Sequence, residues 1–197
     1  MSQGLGALVL AAGSSQRMGA LNKLTEEIDG QALVARVVSA FEVAGVGPIV
    51  VVTGHEAAAV QAALSSHHVC FVHNRSHAEG MGTSIACGIA ALEDTAAVLI
   101  ALGDLPLLEP ATITALGRSF AEADADSIHV PTHQGRRGHP VLFGATHFSA
   151  LSSLAGDRGA RTIIEANAAR VLEVEVDDPG ISIDIDTPAD LQSARER

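Results

Sequence analysis

The sequence predicts an α/β fold: a three-layer sandwich in which a mainly parallel sheet carries helices on both faces. Short apolar runs alternate with alanine-rich segments of helix length, and that alternation is typical of a sheet buried on both sides. Hydrophobic residues make up 47% of the 197 residues and charged residues 18%, which excludes a disordered chain. The length favours one domain over residues 1–197.

The apolar runs are too short for helices, so they predict strands. In order they are Leu5–Ala11, Ile49–Val52, Val69–Val72, Val98–Leu102, Val141–Phe143 and Val171–Val176. The alanine-rich segments predict helices over Ala32–Ala44, Glu56–Leu64, Ser84–Leu92, Ala111–Ala123 and Arg161–Ala168. Gly and Pro residues at several strand ends support these boundaries.

The alternation changes after about residue 127. Ser127–Pro131 and His139–Phe143 flank the polar segment Thr132–Gly138, which predicts a small hairpin excursion from the parallel sheet. Ligands of open α/β sheets bind beyond the carboxyl ends of the strands, so functional side chains are expected directly after the apolar runs. The hairpin would then form one wall of the binding cleft.

Composition excludes several classes of partner. The chain has 12 basic and 23 acidic side chains, a formal net charge of −11, so nucleic acid is a poor partner. Aromatic residues make up only 3%, too few for base-stacking platforms. The sequence lacks the run of about 18 apolar residues that a membrane span needs. Cys70 and Cys87 are not spaced as metal ligands, which favours a reducing compartment, and we expect a cytoplasmic protein.

Lys23 is the sole lysine of the chain and follows the first predicted strand. The strand runs into the turn Leu10-Ala11-Ala12-Gly13, and Arg17 lies between that turn and Lys23. A glycine-containing turn leaves backbone amides unpaired, and the two basic groups add positive charge, so the segment predicts a phosphate-binding site. A compact ammonium suits a point contact to phosphate. The alternative is an ordinary strand-to-helix turn with surface cations, and the spacing matches neither a Walker A loop nor a dinucleotide fingerprint.

Asp104 directly follows the predicted strand Val98–Leu102, where its carboxylate would reach the crevice and suit Mg²⁺. A turn residue is the alternative. Asp186 is the expected second carboxylate, although Thr187-Pro188-Ala189-Asp190 also fits a simple helix start. Asp184, on the same strand face, stays a competitor for the metal.

Two further segments predict ligand contacts. Glu79–Ile85 nearly matches a dinucleotide fingerprint but has Ile85 at the third glycine position, and its glycines also fit a turn followed by a helix cap at Ser84. Arg136, Arg137 and His139 fit an acceptor site, because two guanidinium groups can hold a phosphate. A solvated hairpin tip is the alternative.

Five segments together resemble the nucleotidyltransferases with a MobA-like fold. They are LAAGSSQRMGALNK (10–23), HNR with GMGTSI (73–75 and 80–85), LGDLP (102–106), RRGHPVLF (136–143) and IDTPADL (185–191). Within that family, the combination of LAAG, GMGTSI and RGHPVLF is similar to molybdenum cofactor cytidylyltransferases. Related guanylyltransferases tend to have a second glycine where this chain has Ala12.

The resemblance implies a Rossmann-like nucleotide-binding sheet and a Mg²⁺-dependent transfer of CMP from CTP to the phosphate of molybdenum-bearing molybdopterin, with release of pyrophosphate. It implies that Lys23, Arg17 and Asp104 are catalytic and that Asp104 and Asp186 hold the metal. Nucleotide contacts are implied for Leu10, Ala11, Ala12, Gly13, Arg17, Lys23, Asn74, Gly80, Gly82 and Ser84, and acceptor contacts for Arg136, Arg137 and His139. A transient contact with a molybdenum hydroxylase follows from the same resemblance.

Three alternatives stay open. The same chemistry could use GTP with the pterin, or CTP with a small phosphorylated acceptor. A second class is a non-catalytic nucleotide- or cofactor-binding partner in molybdoenzyme maturation, which would not need Lys23, Asp104 and Asp186 together. A purely structural protein is the third, and the glycine and charged residues at the predicted strand ends count against it.

Overall fold

The computed structural model describes residues 4–14 and 22–196. Its strands are β1 (Leu5–Ala11), β2 (Glu27–Ile28), β3 (Gln31–Ala32), β4 (Ile49–Thr53), β5 (Cys70–His73), β6 (Ala97–Leu102), β7 (Ile128–His133), β8 (Arg136–Arg137), β9 (Val141–Gly144) and β10 (Val171–Glu175). Its α-helices are α1 (Leu33–Val43), α2 (Ala57–Ala63), α3 (Met81–Ile89), α4 (Pro110–Ala121), α5 (Phe148–Ser152), α6 (Arg161–Ala166) and α7 (Pro188–Arg195). Short 3₁₀ turns, including Lys23–Thr25 and Pro179–Ser182, lie between them.

An eight-stranded sheet forms the centre of the protein, in the order β10-β7-β9-β6-β1-β4-β5, with β8 paired to β7. β1 runs parallel to β4 and β6, β4 to β5, and β10 to β7. β9 is antiparallel to both of its neighbours, β6 and β7. The predicted α/β fold with a mainly parallel sheet is confirmed.

The predicted hairpin is present but smaller than its sequence pattern indicates. A turn at Gln134 and Gly135, both with positive φ, joins β7 to the two residues of β8. The following apolar run, β9, instead enters the main sheet between β6 and β7. The reason is burial: β9 is buried along its whole length, as an interior strand must be.

Two apolar layers cover the two faces of the sheet. On one face, sheet residues such as Val9 and Leu99 pack against Phe41 of α1 and Leu116 of α4. On the other face, alternate sheet residues such as Leu8, Val98 and Ile100 pack against residues of α3, α5 and α6, including Ile85, Ile89, Leu151 and Ile163. Successive side chains of a strand point to opposite faces, so one apolar strand serves both layers.

The C-terminal segment returns to the first half of the chain. Ile185, Leu191 and Ala194 form a small buried cluster with Ile28 and Leu33. This packing brings residues 184–186 to the edge of the sheet at which β1 and β6 end. Within the described ranges, the structure contains no helix of the length and apolarity needed to cross a bilayer.

Candidate active site

A cleft of about 960 Å³ lies at the carboxyl ends of β1 and β6. Because parallel strands end at the same edge, the loops that follow them meet there. The lining residues that bear on its chemistry are Leu10, Ala12, Gly13, Ser14, Lys23, His77, Gly80, Met81, Ser84, Leu102, Asp104, Asp157, Asp184 and Asp186. The cleft therefore joins most of the separate sequence motifs.

The ammonium of Lys23 lies between two carboxylates at the centre of this cleft. Lys23 Nζ is 2.5 Å from Asp104 Oδ2 and 2.7 Å from Asp186 Oδ1. Burial by itself lowers the pKa of Lys23, but the charge and hydrogen bond of Asp104, followed by those of Asp186, outweigh burial and raise the pKa above its ordinary value. Lys23 is therefore a cation at every physiological pH.

Local capping fixes the backbone on both sides of this cluster. Asn22 Oδ1 accepts a hydrogen bond from Leu24 N, at 3.1 Å, at the start of the turn that carries Lys23. On the other side, Thr187 and Asp190 form a capping box at the start of α7. Asp186 N donates to Asp190 Oδ2 at 3.2 Å, which joins Asp186 to that cap. The sequence 187–190 thus starts a helix as its pattern indicates, and Asp186, directly before it, lines the cleft. The two interpretations of this segment are compatible.

The two carboxylates fit a divalent cation. Asp104 Oδ1 is buried and has no hydrogen-bond partner among the described residues, so a lone pair is left for a metal ion. Carboxylate oxygens are hard ligands, and Mg²⁺ commonly takes one or two of them together with water and substrate phosphates. In residues 4–14 and 22–196, no three His, Cys, Asp or Glu side chains group as a metal site, so phosphates and water would complete the coordination.

The described part of the cleft is acidic. Four carboxylates line it, those of Asp104, Asp157, Asp184 and Asp186, whereas Lys23 is the only Lys or Arg among its described lining residues. A triphosphate would meet strong repulsion there unless cations accompanied it. Arg17, the second predicted phosphate contact, lies outside the described residues.

The loop after β5 is held together by its own side chains. Asn74 is buried, and its Nδ2 donates to Thr83 Oγ1 at 2.9 Å and to Ser84 Oγ at 3.0 Å. Its Oδ1 accepts from Ser76 N at 2.9 Å. Ser84 lines the cleft, whereas Asn74 does not. The predicted nucleotide contact of Asn74 stays a prediction. In the structure, its side chain makes hydrogen bonds within the loop and stabilises the loop conformation.

Gly80 and Gly82 permit a close approach by the 155–157 loop. Gly80 has φ +115°, and a Cβ there would clash with the backbone of Gly156. A Cβ on Gly82 would lie 2.8 Å from the carbonyl carbon of Ala155. Gly82 N donates to Gly156 O at 2.8 Å. Only Gly80 of the two lines the cleft.

A second cavity of about 570 Å³ adjoins the cleft and shares Leu10, Met81 and Leu102 with it. Its walls are mainly aliphatic and aromatic side chains: Ile85, Ile100, Val130, Val141, Phe143 and Ile164. The charged residues that line it are Arg137, Arg158, Arg161 and Glu165. The cavity could therefore hold an apolar body with an anionic end.

The predicted acceptor residues separate in the structure. His139 and Arg137 line the second cavity, whereas Arg136 is exposed and lines neither cavity. Arg137 Nε also donates to Glu173 Oε1 at 2.7 Å. Burial lowers the pKa of His139 below its ordinary value, against a hydrogen bond with the Ile100 backbone and the charges of Asp104 and Asp184. His139 is therefore neutral near pH 7.

Some lining residues were not predicted from the sequence, among them His77, which packs directly against Gly54. Ala11 was predicted to bind nucleotide, but it is 1% exposed and does not line the cleft. The sequence Gly156–Arg161 fits a further loop-to-helix anion site; in the structure its Asp157 lines the cleft, and its Arg158 and Arg161 line the second cavity.

The comparisons with known proteins agree with this architecture. A family model described as "MobA-like NTP transferase domain" matches residues 7–171. The protein Rv0371c from Mycobacterium tuberculosis H37Rv has a similar structure, with a TM-score of 0.84, 26% identity and 100% coverage of both chains. The same protein has also been solved in complex with manganese, with a TM-score of 0.81, 24% identity and 100% coverage of both chains.

Two curated relatives match nearly the whole chain and differ in the activity that they are named for. The nicotine blue oxidoreductase of Paenarthrobacter nicotinovorans is 32% identical over 189 residues, which cover 91% of both chains. The molybdenum cofactor cytidylyltransferase of Escherichia coli K12 is 26% identical over 191 residues, 96% of this chain and 95% of the relative.

Proposed function

Since the chain belongs to the MobA-like NTP transferase family, we propose that it transfers CMP from CTP to the phosphate of a molybdopterin-type acceptor carrying molybdenum, and releases pyrophosphate. The observation that carries this proposal is the cluster of Lys23, Asp104 and Asp186 in a cleft beyond the strand ends. A non-catalytic binding partner would have no need to combine two metal-binding carboxylates with a phosphate-binding ammonium.

The proposed reaction is an in-line displacement at phosphorus. An ionised oxygen of the acceptor phosphate forms a bond to the α-phosphorus, the bond from that phosphorus to the bridging oxygen breaks, and pyrophosphate leaves with the electron pair. The attacking oxygen is already ionised near pH 7, so the protein need not supply a general base. Its tasks are alignment of the two substrates and stabilisation of charge on the leaving group.

Each described residue has a distinct task in this proposal. Lys23 contacts the phosphates, and Asp104 and Asp186 hold Mg²⁺. When bound, the metal neutralises charge on the phosphates. The manganese complex of Rv0371c supports a divalent cation for this fold. Arg17 would add a second cation beside the phosphates, and the backbone of Ala12 and Gly13, which line the cleft, would contact the nucleotide.

The second cavity supports the acceptor side of the proposal. It adjoins the cleft and shares three lining residues with it, and its Arg137 could contact an anionic acceptor. The preference for CTP rests on the resemblance and on Ala12, which lines the cleft. We further propose that residues 1–197 act as one domain in the cytoplasm and contact a molybdenum hydroxylase transiently when the product is delivered.

A second candidate function is an oxidoreductase, because the higher of the two identities is to nicotine blue oxidoreductase. In this alternative, a redox dinucleotide with two phosphates would bind in the same cleft. Reduction would need no pyrophosphate release and no acceptor phosphate, so the two functions leave different products.

One assay separates these functions. Pyrophosphate release is measured with each of the four nucleoside triphosphates, with Mg²⁺ or Mn²⁺, and with molybdopterin cofactor added or withheld. We expect release only with acceptor and metal, fastest with CTP. A parallel reaction follows oxidation of NADH and NADPH with quinone-type dyes. Dye reduction without pyrophosphate release would replace the transferase proposal with the oxidoreductase, and the absence of both would favour a binding partner.

A further inference from the structure

Residues 178–187 lie between β10 and α7 and contact three separate parts of the protein, two of which belong to the candidate site. The segment touches the start of α4 through Asp178, the His139 segment through Ile181, and the loop after β6 through Ile185. Asp178 is the one charged residue of this segment that is buried. Its exposed fraction is 1%, and it lines neither cavity.

Asp178 anchors the beginning of this segment. Its Oδ2 accepts from Glu109 N, just before α4, at 3.0 Å and from Thr112 Oγ1, in the first turn of α4, at 2.7 Å. Its Oδ1 accepts from Gly180 N at 2.8 Å. All three donors are uncharged, and hydrogen bonds to a buried carboxylate are stronger than those between neutral groups. The carboxylate therefore joins the connecting segment firmly to α4.

The segment stays in close contact with the protein as it approaches the cleft. A Cβ on Gly180 would clash with Leu107 O, so the two backbones touch. Ile181 O accepts from His139 N at 2.8 Å, and Ile185 N donates to Asp104 O at 3.0 Å. The backbone carbonyl of Asp104, one proposed metal ligand, thus accepts a hydrogen bond from Ile185, which directly precedes Asp186, the other proposed ligand.

We propose that Asp178 is a positioning residue that fixes Asp186 relative to Asp104 and thereby sets the affinity of the site for a divalent cation. The inference rests on the proposed function, in which those two carboxylates hold the metal. Groups that hydrogen-bond directly to the ligands of a metal change its affinity by roughly 10-fold to 100-fold when they are altered. Asp178 acts less directly, through residues 179–185, so we expect an effect at the lower end of that range.

The test variant is Asp178→Asn, which has the same shape. Its amide oxygen can still accept from the start of α4, but its NH₂ group faces Gly180 N, a second donor, so the anchor to the segment is lost. The measurement is titration calorimetry with Mn²⁺ alone, without nucleotide. We expect binding weakened by about tenfold, with a matching rise in the metal concentration for half-maximal activity and an unchanged KM for nucleotide at saturating metal.

Two further variants complete the test. Thr112→Val removes one donor to Asp178 and leaves the contact with Gly180, so we expect a smaller loss of Mn²⁺ affinity. Thr95→Val is the matched control, because it removes a buried hydroxyl that donates to Leu92 O at 2.7 Å and lines neither cavity. The control should lower the melting temperature without changing Mn²⁺ affinity.

The outcomes are distinct. Folded Asp178→Asn protein with wild-type Mn²⁺ affinity would overturn the positioning role and leave the proposed function standing. If that variant does not fold, Thr112→Val decides: a loss of Mn²⁺ affinity beyond that of Thr95→Val supports the role, and none overturns it. If the wild type binds Mn²⁺ only when CTP is present, the same comparison of variants is made with CTP. Wild-type protein that binds Mn²⁺ neither alone nor with CTP would overturn the proposed metal site and this role together.

Discussion

Lys23 Nζ and Asp104 Oδ2 are 2.5 Å apart, and Asp186 holds the same ammonium from the other side. Asp104 Oδ1, which has no hydrogen-bond partner among the described residues, would be open to a metal ion, but the ammonium already neutralises part of the charge of both carboxylates. Before nucleotide binds, Lys23 and a divalent cation therefore compete for the same two carboxylates, and the two cations repel each other. The phosphates of a bound nucleotide would relieve this competition by offering the ammonium a new partner.

This competition makes Lys23→Met a variant with two opposite effects. Without nucleotide, we expect Mn²⁺ to bind about tenfold more tightly than to the wild type, because the competing cation is gone. Turnover should fall by about two orders of magnitude or more, since a phosphate contact is lost. Calorimetry and pyrophosphate release measure the two effects. Arg195→Met, which removes a cation outside both cavities, serves as the control and should change neither.

The second metal carboxylate can be identified by paired substitutions. Asp186 contacts Lys23 directly, whereas Asp184 lines the cleft without such a contact. We expect Asp186→Asn to reduce pyrophosphate release by about two orders of magnitude and Asp184→Asn by less than about tenfold. A larger loss of pyrophosphate release in Asp184→Asn than in Asp186→Asn would identify Asp184 as the second metal ligand. Melting temperatures of both variants show whether folding contributes.

The two adjacent arginines should differ in their effect on the acceptor. Arg137 lines the second cavity and Arg136 lies in solvent. Arg137→Gln is expected to raise the KM for the acceptor about tenfold, because a charged hydrogen bond is lost, with the KM for CTP unchanged. Arg136→Gln should behave as wild type in the same steady-state assay. Equal effects of the two substitutions would argue that the cavity is not the acceptor site.

The capping box of α7 predicts a pH-dependent stability. The hydrogen bonds from the Thr187 side chain and backbone lower the pKa of Asp190 below its ordinary value. The carboxylate therefore stabilises the fold above its unfolded pKa of about 3.9, and this contribution is lost as the pH falls through the folded pKa. We expect Asp190→Asn to lower the melting temperature by about 2–4 °C at pH 7.

Calorimetric scans from pH 7 towards pH 3 check this prediction. The melting curves of wild type and Asp190→Asn should converge in acid, because a protonated Asp190 no longer accepts as a carboxylate. A constant difference across the whole range would show that the cap contributes through shape and not through charge.

Apolar patterning predicted the sheet and its helices well, because burial of the strands imposes the pattern directly. The run Leu5–Ala11 coincides with β1, and the predicted helix over Ala32–Ala44 exceeds α1 by one residue at each end. The position of β9 could not be predicted in the same way. Its apolar run fits a hairpin partner and an interior strand equally, and only its pairing with β6 separates them.

The motifs located the candidate site but not the arrangement of atoms within it. Strand ends predicted where Asp104 and Lys23 would lie, because parallel strands deliver their following residues to one edge. The sequence contains no sign that Lys23 would bridge Asp104 and Asp186, since that contact spans distant parts of the chain. Nor does it show that Asn74 bonds to its own loop, because that depends on the path of the backbone.

Leu10, Met81 and Leu102 belong to the walls of both cavities, so the two spaces meet at three side chains. A single ligand that joins a nucleoside to an apolar ring system could span this junction. Once one half was bound, the other would find its cavity at a high effective concentration, and the gain can reach roughly 10²–10⁴ in affinity. The shared walls thus make this protein a candidate for inhibition by linked, two-headed molecules.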